Sequence, residues 1–481
     1  MNFAIVRYLI GWMLGIESIF LLLPALTAVI YGEPELPAYL IAAAISLAGA
    51  ALLCHRKPKN TRFYAREGYV TVALCWLILA VIGALPFVLS REIPFFIDAL
   101  FETVSGFTTT GATILGDVEA LSHASMLWRC LTHWVGGMGV LVFMLIVLPL
   151  AGGQTIFLMR AESPGPAVSK MSPHMRDTAT ILYAIYFGLT VLQMILLLIG
   201  GMPLFDAICV SLGTAGTGGF GNWNDSIAHY NSAYLQNVIT VFMILFGINF
   251  SAYFLILTRK FRQAFRIEEI RVYLGVIFVF AGLIAFNVRP MFGSLRESFH
   301  HALFQVASII TTTGFSTVDF DRWPTFSRAL LVLLMFIGAC AGSTGGGIKC
   351  SRILLLGKSV KKEMMCLIHP RLVRVNKMDG QRVPHEVMRS INVFVVAYAF
   401  IFILSLLIIS LNCEDLVTCF TSVATTLNNV GPGLSLCGPT CNFDFFPPLS
   451  KCVLIFDMLA GRLELFPMLL LFTPGTWQRN K

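Results

Sequence analysis

The sequence predicts an all-α integral membrane protein with four concatenated helix–pore-loop–helix modules around one pseudo-fourfold pore, plus two extra N-terminal transmembrane helices. Hydrophobic residues make up 57% of the 481 residues and charged residues 12%, about half the charged share of a soluble domain. A Thr/Gly stretch recurs four times at intervals of about 100 residues, which suits membrane modules rather than a solenoid. An apolar segment too short to span a bilayer precedes each copy.

Two hydrophobic spans, residues 4–30 and 37–54, precede the first module. The first is too long for a signal peptide and lacks a cleavage pattern, so we expect it to remain as a helix. The predicted N-terminal unit is therefore residues 1–66. The four modules are predicted at residues 67–160, 161–262, 263–375 and 376–481.

Each module is predicted to place one apolar span on either side of its Thr/Gly stretch. The pairs are residues 70–89 with 127–150, 179–199 with 235–257, 272–286 with 330–356, and 393–411 with 452–472. With the two N-terminal spans they predict ten membrane crossings, so both termini are expected on one side.

The short apolar segments are predicted to be half-helices that enter the membrane from one face. They comprise residues 95–107, 204–213, 298–310 and 413–424. Several begin near a carboxylate that complements a helix N-terminus, namely Asp98, Asp206, Glu414 and Asp415. Their carbonyl-rich C-termini would point to mid-membrane, where they favour a cation.

The Thr/Gly copies, called filter stretches 1 to 4, are residues 108–113, 214–220, 311–315 and 425–431. Non-helical backbone at this depth must line a water-filled cavity, and glycine lets successive carbonyls turn to one side. Rings of such carbonyls replace the water shell of a monovalent cation. The predicted filter residues are Thr110, Gly111, Thr217, Gly218, Thr313, Gly314, Val430 and Gly431. The predicted ion ligands are the carbonyls of Thr109, Thr110, Thr217, Thr312, Thr313, Asn429 and Val430.

Two filter stretches depart from the pattern. The second has consecutive Gly218 and Gly219, which leaves open which of them lines the pore. The fourth has no Thr-Gly pair, so Val430 and Gly431 must supply its carbonyls. Ordinary loops also contain Thr and Gly, but four copies between a half-length and a full-length apolar segment favour a pore.

Lysine and arginine determine the predicted orientation. They concentrate in the joins between modules, whereas the re-entrant regions contain only Arg91, Arg296 and Arg322. The joins and both termini are therefore expected in the cytoplasm, with the filters open outward. The net charge of +8 is then a topology signal, and no base-reading surface indicates a nucleic-acid partner. The long join 352–389 could contact anionic lipid or a cytoplasmic subunit, although a topogenic role explains it.

The chain contains twelve cysteines, most of them single residues in apolar spans. Cys437 and Cys441 follow the fourth filter stretch, with Cys413 on the same face, so a disulfide there stays open. No zinc spacing, Ser/His/Asp set or carboxylate pair indicates an enzyme.

A run of small residues interrupts the second span of module 3: Gly342, Ser343, Thr344, Gly345, Gly346 and Gly347. A nucleotide P-loop does not fit, because Lys349 lacks the Gly-Lys-Ser/Thr arrangement and no strand precedes it. The run is either a gate below the filter or a hinge for close helix packing. We favour the gate, because small residues cannot hold a helix against lipid.

Arg462 lies inside the last apolar span, near Asp457 and Glu464. A buried arginine requires partners or water. It is predicted either to form a structural ion pair with one of these carboxylates or to pair with the gate and oppose cation passage, and both roles are compatible. No role is predicted for three further polar residues near helix ends: Arg129, His133 and Lys349.

Five ordered motifs, residues 101–113, 134–139, 341–349, 428–433 and 460–464, closely resemble those of the TrkH family. This family translocates potassium in bacterial Trk systems and belongs to a superfamily with Ktr and plant HKT proteins. The resemblance covers nearly the whole chain, including the two N-terminal helices that separate TrkH from Ktr-type subunits.

The resemblance implies potassium uptake across the cell inner membrane, with no cofactor in this chain. It also implies a homodimer with one pore per subunit, gated by a cytoplasmic ring of TrkA-type subunits that bind the nucleotide. Single glycines indicate a shorter filter, with fewer carbonyl rings than a filter of the Thr-Val-Gly-Tyr-Gly type. We therefore expect rubidium to be accepted and sodium to pass weakly. A sodium- or proton-coupled cation symporter is the alternative.

Overall fold

The structure is a computed structural model that describes residues 1–58, 64–139, 175–371 and 375–478. Helices α1 (Phe3–Tyr31) and α2 (Leu36–Cys54) form the N-terminal unit. They pack against each other along their length, and the Ser46 hydroxyl donates to the Leu14 carbonyl at 2.8 Å. Gly32, with φ of 68°, ends α1 in a left-handed cap. Both N-terminal helices lie where the sequence predicted them.

Modules 1 and 2 each begin with a long helix followed by a short one. Module 1 contains α3 (Ala65–Ser90), α4 (Phe96–Phe107) and α5 (His123–Gly137). Module 2 contains α6 (Met175–Ile199), α7 (Leu204–Gly216), α8 (Ala233–Phe246) and α9 (Phe250–Leu257). The short helix α10 (Phe261–Ala264) follows. Part of the predicted span 127–150 lies outside the described residues, as does the predicted module boundary at 160.

Modules 3 and 4 repeat the same order. Module 3 contains α11 (Glu268–Val288), α12 (Leu295–Ile310), α13 (Thr325–Phe336) and α14 (Cys350–Ile368). Module 4 contains α15 (His385–Ile409), α16 (Leu416–Asn428), α17 (Pro448–Arg462) and α18 (Phe466–Leu471), followed by α19 (Pro474–Trp477). An antiparallel hairpin, β1 (Lys377–Met378) and β2 (Gln381–Arg382), joins modules 3 and 4.

Among the described residues, six helices are long and apolar enough to cross a membrane, or seven if α8 and α9 count as one span. The predicted span 235–257 was wrong as a continuous helix, because α8 and α9 meet at an angle of 93°. Predicted spans 330–356 and 452–472 are also interrupted. Their second halves are α14 and α18. Three of the four second spans are therefore interrupted within the described residues, and the second span of module 1 is described only as far as residue 139.

The half-helices extend further than predicted in modules 2 and 4. Helix α7 ends at Gly216 rather than residue 213, and α16 ends at Asn428 rather than residue 424. Both helices therefore include residues that had been assigned to the filter stretches. Asp415 caps α16 by accepting from the Val417 and Thr418 amides, as expected for a carboxylate at a helix N-terminus.

Two large hydrophobic cores hold the modules together. One joins the N-terminal helices to modules 1 and 4, and it includes the fully buried Trp76 and Trp128. The other joins parts of modules 2, 3 and 4. All twelve cysteines are free thiols, so Cys437 and Cys441 form no disulfide in the structure.

Candidate ion-conduction site

The four filter stretches share one backbone pattern, in which two positions separated by one residue are left-handed. At the first position φ lies between 54° and 58°: Thr109, Thr217, Thr312 and Asn429. At the second, φ lies between 78° and 99°: Gly111, Gly219, Gly314 and Gly431. The residues between them, called the middle positions, are Thr110, Gly218, Thr313 and Val430. Only glycine adopts the second conformation without a steric penalty.

This pattern corrects the predicted register of the second stretch by one residue. The sequence analysis included Gly218 among the filter residues and left open whether Gly218 or Gly219 lines the pore. In the structure, Gly219 has the left-handed backbone that matches Gly111. Gly218 occupies the middle position, where the other copies have Thr or Val. A Cβ at Gly218 would overlap the ring of His133, which explains why this stretch alone has two consecutive glycines.

The first two stretches each contact the next stretch in chain order through a glycine. A Cβ on Gly111 would overlap the carbonyl oxygen of Gly218. A Cβ on Gly219 would likewise overlap the carbonyl oxygen of Thr313. Both glycines therefore allow a middle-position carbonyl to approach their backbone.

The other two stretches close the cycle. A Cβ on Gly314 would lie 2.6 Å from the carbonyl oxygen of Val430. A Cβ on Gly431 would lie 2.7 Å from the carbonyl oxygen of Thr110, in the first stretch. The four middle-position carbonyls and the four glycines thus form one closed ring of backbone.

The ring has open space on its glycine side. A pocket of 140 Å³, called the vestibule, is lined by residues from all four stretches. Its lining includes each ring glycine: Gly111, Gly219, Gly314 and Gly431. The ring is therefore open to the vestibule through equivalent residues of all four modules.

Hydrogen bonds of threonine side chains stabilise the backbone of the ring. The Thr108 and Thr110 hydroxyls are 2.8 Å apart, and those of Thr311 and Thr313 are 2.7 Å apart. The Asn429 amide donates to the Thr110 hydroxyl at 3.0 Å, which joins stretch 4 to stretch 1. These bonds occupy the hydroxyl groups of Thr110 and Thr313. The groups that recur in the same position in all four stretches are therefore the backbone carbonyls.

A non-helical segment, residues 337–349, interrupts the second span of module 3 and contains the predicted run 342–347. We call it the glycine-rich loop. The Gly346 amide donates to the Thr312 hydroxyl at 2.7 Å. A Cβ on Gly346 would lie 2.7 Å from the Asn428 carbonyl oxygen. The loop therefore contacts the ring on the side opposite the vestibule.

The glycine-rich loop also binds the break between α8 and α9 in module 2. The Phe250 amide donates to the Gly342 carbonyl, and the Cys340 amide donates to the Gly247 carbonyl, both at 3.0 Å. The Thr344 hydroxyl donates to the Phe246 carbonyl at 3.2 Å. These bonds hold the loop against the side of the ring that is opposite the vestibule.

Arg462 joins the glycine-rich loop to module 1. Its guanidinium donates to the Thr344 carbonyl at 2.9 Å, to the Gly137 carbonyl at 2.7 Å and to the Gly136 carbonyl. The two carboxylates considered as its partners each bind another side chain. Asp457 accepts from Ser405 at 2.7 Å, and Glu464 binds Arg352.

A cavity of 110 Å³, called the loop cavity, lies against the glycine-rich loop. Lining residues come from the loop, from Gly137–Gly139 of module 1 and from the α17 end. Arg462 and Lys349 supply positive charge to its wall, and Glu464 supplies negative charge. The vestibule and the loop cavity share no lining residue.

Comparison with known proteins identifies the family. The TrkH profile, described as "Cation transport protein", matches residues 37–478. The chain belongs to the TrkH family. The Trk system potassium uptake protein TrkH of Escherichia coli (strain K12) is 38% identical, covering 99% of this chain and all of the relative. The Trk system potassium uptake protein TrkG of the same strain is 33% identical, covering 98% of each chain.

A solved TrkH structure has the same fold. The crystal structure of the potassium transporter TrkH from Vibrio parahaemolyticus has a TM-score of 0.89 and 32% identity, covering 99% of this chain and all of that one. The suspected family is thereby confirmed, as is the prediction of a transporter rather than an enzyme. The chain is an all-helical, multi-pass membrane protein in its overall architecture.

His133 supports the ring of this TrkH-family protein, although no role was predicted for it from the sequence. Its Nδ1 lies 2.7 Å from the Gly106 carbonyl, and its Nε2 accepts from the Phe220 amide at 3.2 Å. This pattern requires the Nδ1–H tautomer of a neutral imidazole. His133 therefore joins the end of α4 to the second filter stretch, and only spatial proximity reveals this role.

A buried ion pair supports the ring from the vestibule side. Arg129 Nε lies 2.8 Å from Glu102, and both side chains are almost fully buried. Glu102 also accepts from the Thr113 hydroxyl at 3.0 Å and the Ile114 amide at 3.1 Å. The Arg129 guanidinium stacks 4.1 Å from the Phe220 ring centre. The pair thus connects stretches 1 and 2, and breaking it would leave one buried charge uncompensated.

Glu269 joins the glycine-rich loop to the first turn of α14. Its carboxylate accepts from the Ala341 amide at 2.7 Å and from the Ser351 amide at 2.9 Å, and it is 2% exposed. Sequence reasoning missed this residue. The available signal was a second carboxylate, beside Glu268, at the start of an apolar span.

Proposed function

We propose that the closed ring is the selectivity filter of a potassium uptake protein. The protein is a Trk-system potassium transporter, like its full-length relatives. The observation that supports the filter is that four equivalent glycines each accommodate a carbonyl of the next stretch. Four modules arranged about one pseudo-fourfold pore account for this cyclic order.

The ligands we propose are the backbone carbonyls of the first and middle positions. They are Thr109, Thr110, Thr217, Gly218, Thr312, Thr313, Asn429 and Val430. A neutral ring of carbonyl dipoles suits a monovalent cation, whereas Ca²⁺ or Mg²⁺ would favour carboxylates. The C-termini of α4, α7, α12 and α16 add partial negative charge at the filter.

The proposed selectivity follows from the number of rings. Each stretch contributes only one glycine and one middle-position carbonyl to the ring. The filter therefore has few layers of carbonyls with which to distinguish ions by size. Rubidium, which is close to potassium in size, should pass, and sodium should leak weakly. Potassium is the transported ion, and we propose no cofactor for this chain.

We propose that the glycine-rich loop and Arg462 form the gate. The loop contacts the ring at Thr312 and Asn428, and Arg462 holds its Thr344 carbonyl. A guanidinium about 4 Å from the ion path opposes a potassium ion by roughly 4 kcal/mol at an effective dielectric constant near 20. Opening therefore requires displacement of both the loop and this charge.

The proposed orientation places the vestibule outside and the glycine-rich loop toward the cytoplasm of the cell inner membrane. The joins between modules are rich in lysine and arginine, which favours the cytoplasmic side. Ten crossings, counting each interrupted second span as one, put both termini in the cytoplasm.

We propose a homodimer with one pore per subunit, gated by a ring of TrkA-type cytoplasmic subunits that bind the nucleotide. Family membership supports this assembly. No nucleic-acid partner is proposed, because the sequence of the basic joins indicates no base-reading or stacking surface.

The alternative is a sodium- or proton-coupled cation symporter. Coupling of this kind normally uses a membrane carboxyl group exposed to the ion path. Glu17 and Asp457 are buried carboxyl groups that line neither the vestibule nor the loop cavity, and Glu464, which lines the loop cavity, is paired with Arg352. This placement favours flux through the filter without a coupling carboxylate.

The test is ion flux of the purified protein in liposomes, measured with potassium, rubidium and sodium. A filter predicts potassium and rubidium flux well above sodium flux, with potassium flux independent of an imposed pH or sodium gradient. Potassium accumulation that requires either gradient would instead support the symporter. Equal flux of all three cations would contradict the filter.

A further inference from the structure

A pocket of 460 Å³ lies at the join of modules 3 and 4, away from the ion path. Its walls are the C-terminal half of α14, the first turns of α15 and the segment that includes β2. The proposed function leaves this pocket without a role. We call it the join pocket.

The hairpin that forms one wall is fixed to the protein by hydrogen bonds. The Glu268 amide donates to the Asp379 carboxylate at 2.7 Å, and the Lys358 ammonium donates to the Lys377 carbonyl at 2.8 Å. The Val383 amide donates to the Asn376 carbonyl at 2.9 Å. The join pocket therefore has a defined wall rather than a loose connection.

Positive charge dominates the join pocket. Lys362, Arg382 and Arg389 line it, with Glu363 as the only acidic residue among the described lining residues. Lys362 lies 3.5 Å from Glu363. Within the described part of the chain, Arg382 and Arg389 form no ion pair, so two guanidinium groups face the pocket uncompensated. Asn376, His385 and Asn392 add polar groups to the lining.

The join pocket opens beside apolar surface. Asn392 and Val393 line it, and the exposed side chains of Val396 and Phe400, 71% and 70% exposed, continue along the same helix. A second exposed apolar stripe runs along α14: Val360, Met364, Leu367 and Ile368. Helical spacing puts each set on one face of its helix. A charged recess therefore borders surfaces suited to acyl chains.

We propose that the join pocket binds the headgroup of an anionic phospholipid of the cytoplasmic leaflet. Arg382, Arg389 and Lys362 would contact the phosphate, because arginine binds phosphate oxygens in a bidentate geometry. The acyl chains would lie on the exposed face of α15. The leaflet assignment rests on the proposed orientation, but the binding chemistry does not depend on the filter or the gate.

A lipid fits these features better than a soluble anion. A nucleotide or free phosphate would use the guanidinium groups but would leave the adjoining apolar stripes uncovered. Basic pockets next to transmembrane helices on the cytoplasmic side are suited to anionic headgroups, since the surface of that leaflet is negatively charged.

The experiment compares lipid retention by the full-length protein in detergent, using native mass spectrometry with phosphatidylglycerol or phosphatidylcholine. The test variant is Arg382→Gln with Arg389→Gln. The control is Arg259→Gln with Arg262→Gln, which removes the same charge from exposed residues of another join. Potassium flux in liposomes verifies that both variants fold.

We expect the test variant to retain phosphatidylglycerol on the order of tenfold less than the unchanged protein. The control should match the unchanged protein, and phosphatidylcholine should bind weakly to all three. Equal phosphatidylglycerol retention by both variants would overturn the proposal.

Two further measurements distinguish the remaining ligands. Millimolar inorganic phosphate or nucleotide that binds the unchanged protein but not the test variant, while both retain phosphatidylglycerol equally, would assign the pocket to a soluble anion. Loss of binding to the cytoplasmic subunit with unchanged lipid retention would assign it to that protein. Either result would contradict a lipid site.

Discussion

The filter stretches and the helix breaks on one side of them form two layers that differ in symmetry. The layer of filter stretches repeats one geometry four times, whereas the layer of helix breaks does not. In the ring, the same two positions of all four stretches are left-handed, and the contacts close in a cycle. In the layer below, the second spans break differently. Module 2 breaks over residues 247–249, module 4 at 463–465, and module 3 over the thirteen-residue loop 337–349.

The difference follows from the roles that we propose for the two layers. A cation in a carbonyl ring replaces its water shell evenly only if all four stretches contribute equivalent oxygens. An obstruction needs one segment long enough to reach the axis. Equivalent geometry is therefore required in the ring but not below it, and the two layers should respond differently to substitution.

The largest expected effect is in the symmetric layer. Gly219→Ala should lower potassium uptake by at least about tenfold, since a left-handed backbone costs a side chain roughly 1 to 2 kcal/mol and the new Cβ overlaps the Thr313 carbonyl. The loss should come with weaker discrimination against sodium. Rubidium and sodium flux in liposomes measure both.

The matched control is Gly221→Ala, two residues further on. Its Cβ would lie 3.8 Å from Phe315, and its backbone is not left-handed. Near-normal uptake and selectivity are expected. If both alanine variants behaved alike, the ring would not be the site of selection.

The next effect concerns the asymmetric layer and should be a gain of flux. Deleting residues 342–347 removes the proposed obstruction, and Arg462→Ala removes a bond to the loop together with a positive charge near the proposed ion path. Because both lesions act on one closed state, their effects should not add. Flux through the double variant should equal that of the more active single variant. Unchanged or lower flux in a folded deletion variant would leave the loop as a packing hinge.

A smaller gain is expected from Glu269→Gln. An amide cannot accept as strongly from the Ala341 and Ser351 amides as a carboxylate does, and a loss of about 1 kcal/mol would raise the open population about fivefold. The potassium to sodium ratio should stay unchanged, since the ring is not touched.

Glu268→Gln is the control for this variant. Glu268 starts the same helix but binds Lys358 rather than the glycine-rich loop. A general loss of folding would lower flux in the Glu269 variant, whereas loosening of the gate raises it. Lower flux, or an altered ion ratio, would rule out an anchoring role confined to the loop.

The smallest perturbation is thiol labelling, which tests toward which face of the membrane each layer lies. A membrane-impermeant thiol reagent added outside should modify Cys441, which is exposed, and not Cys437, which is buried. A cysteine at Lys361, in a variant without other exposed cysteines, should react only from inside. Modification of both positions from one side would refute the proposed orientation.

The sequence by itself determined the membrane class, predicted the repeated module and identified every residue of the ring except Gly219. These features are local or compositional. Apolar spans of fixed length and a Thr/Gly stretch after each short segment can be read from one copy and checked against the next. Arg462 and the run 342–347 could be singled out for the same reason, because each violates the apolar pattern of a membrane span.

Only the tertiary structure decided the register of the second stretch, the breaks in the second spans and the contacts of Glu269, His133 and Arg462. Each depends on groups distant in the chain. The His133 ring excludes a side chain at Gly218, and carbonyls from modules 1 and 3 converge on one guanidinium. Local patterns carry no information about such distant neighbours. In the second stretch, these neighbours decide that Gly219, rather than Gly218, takes the left-handed position, a choice that the sequence leaves open.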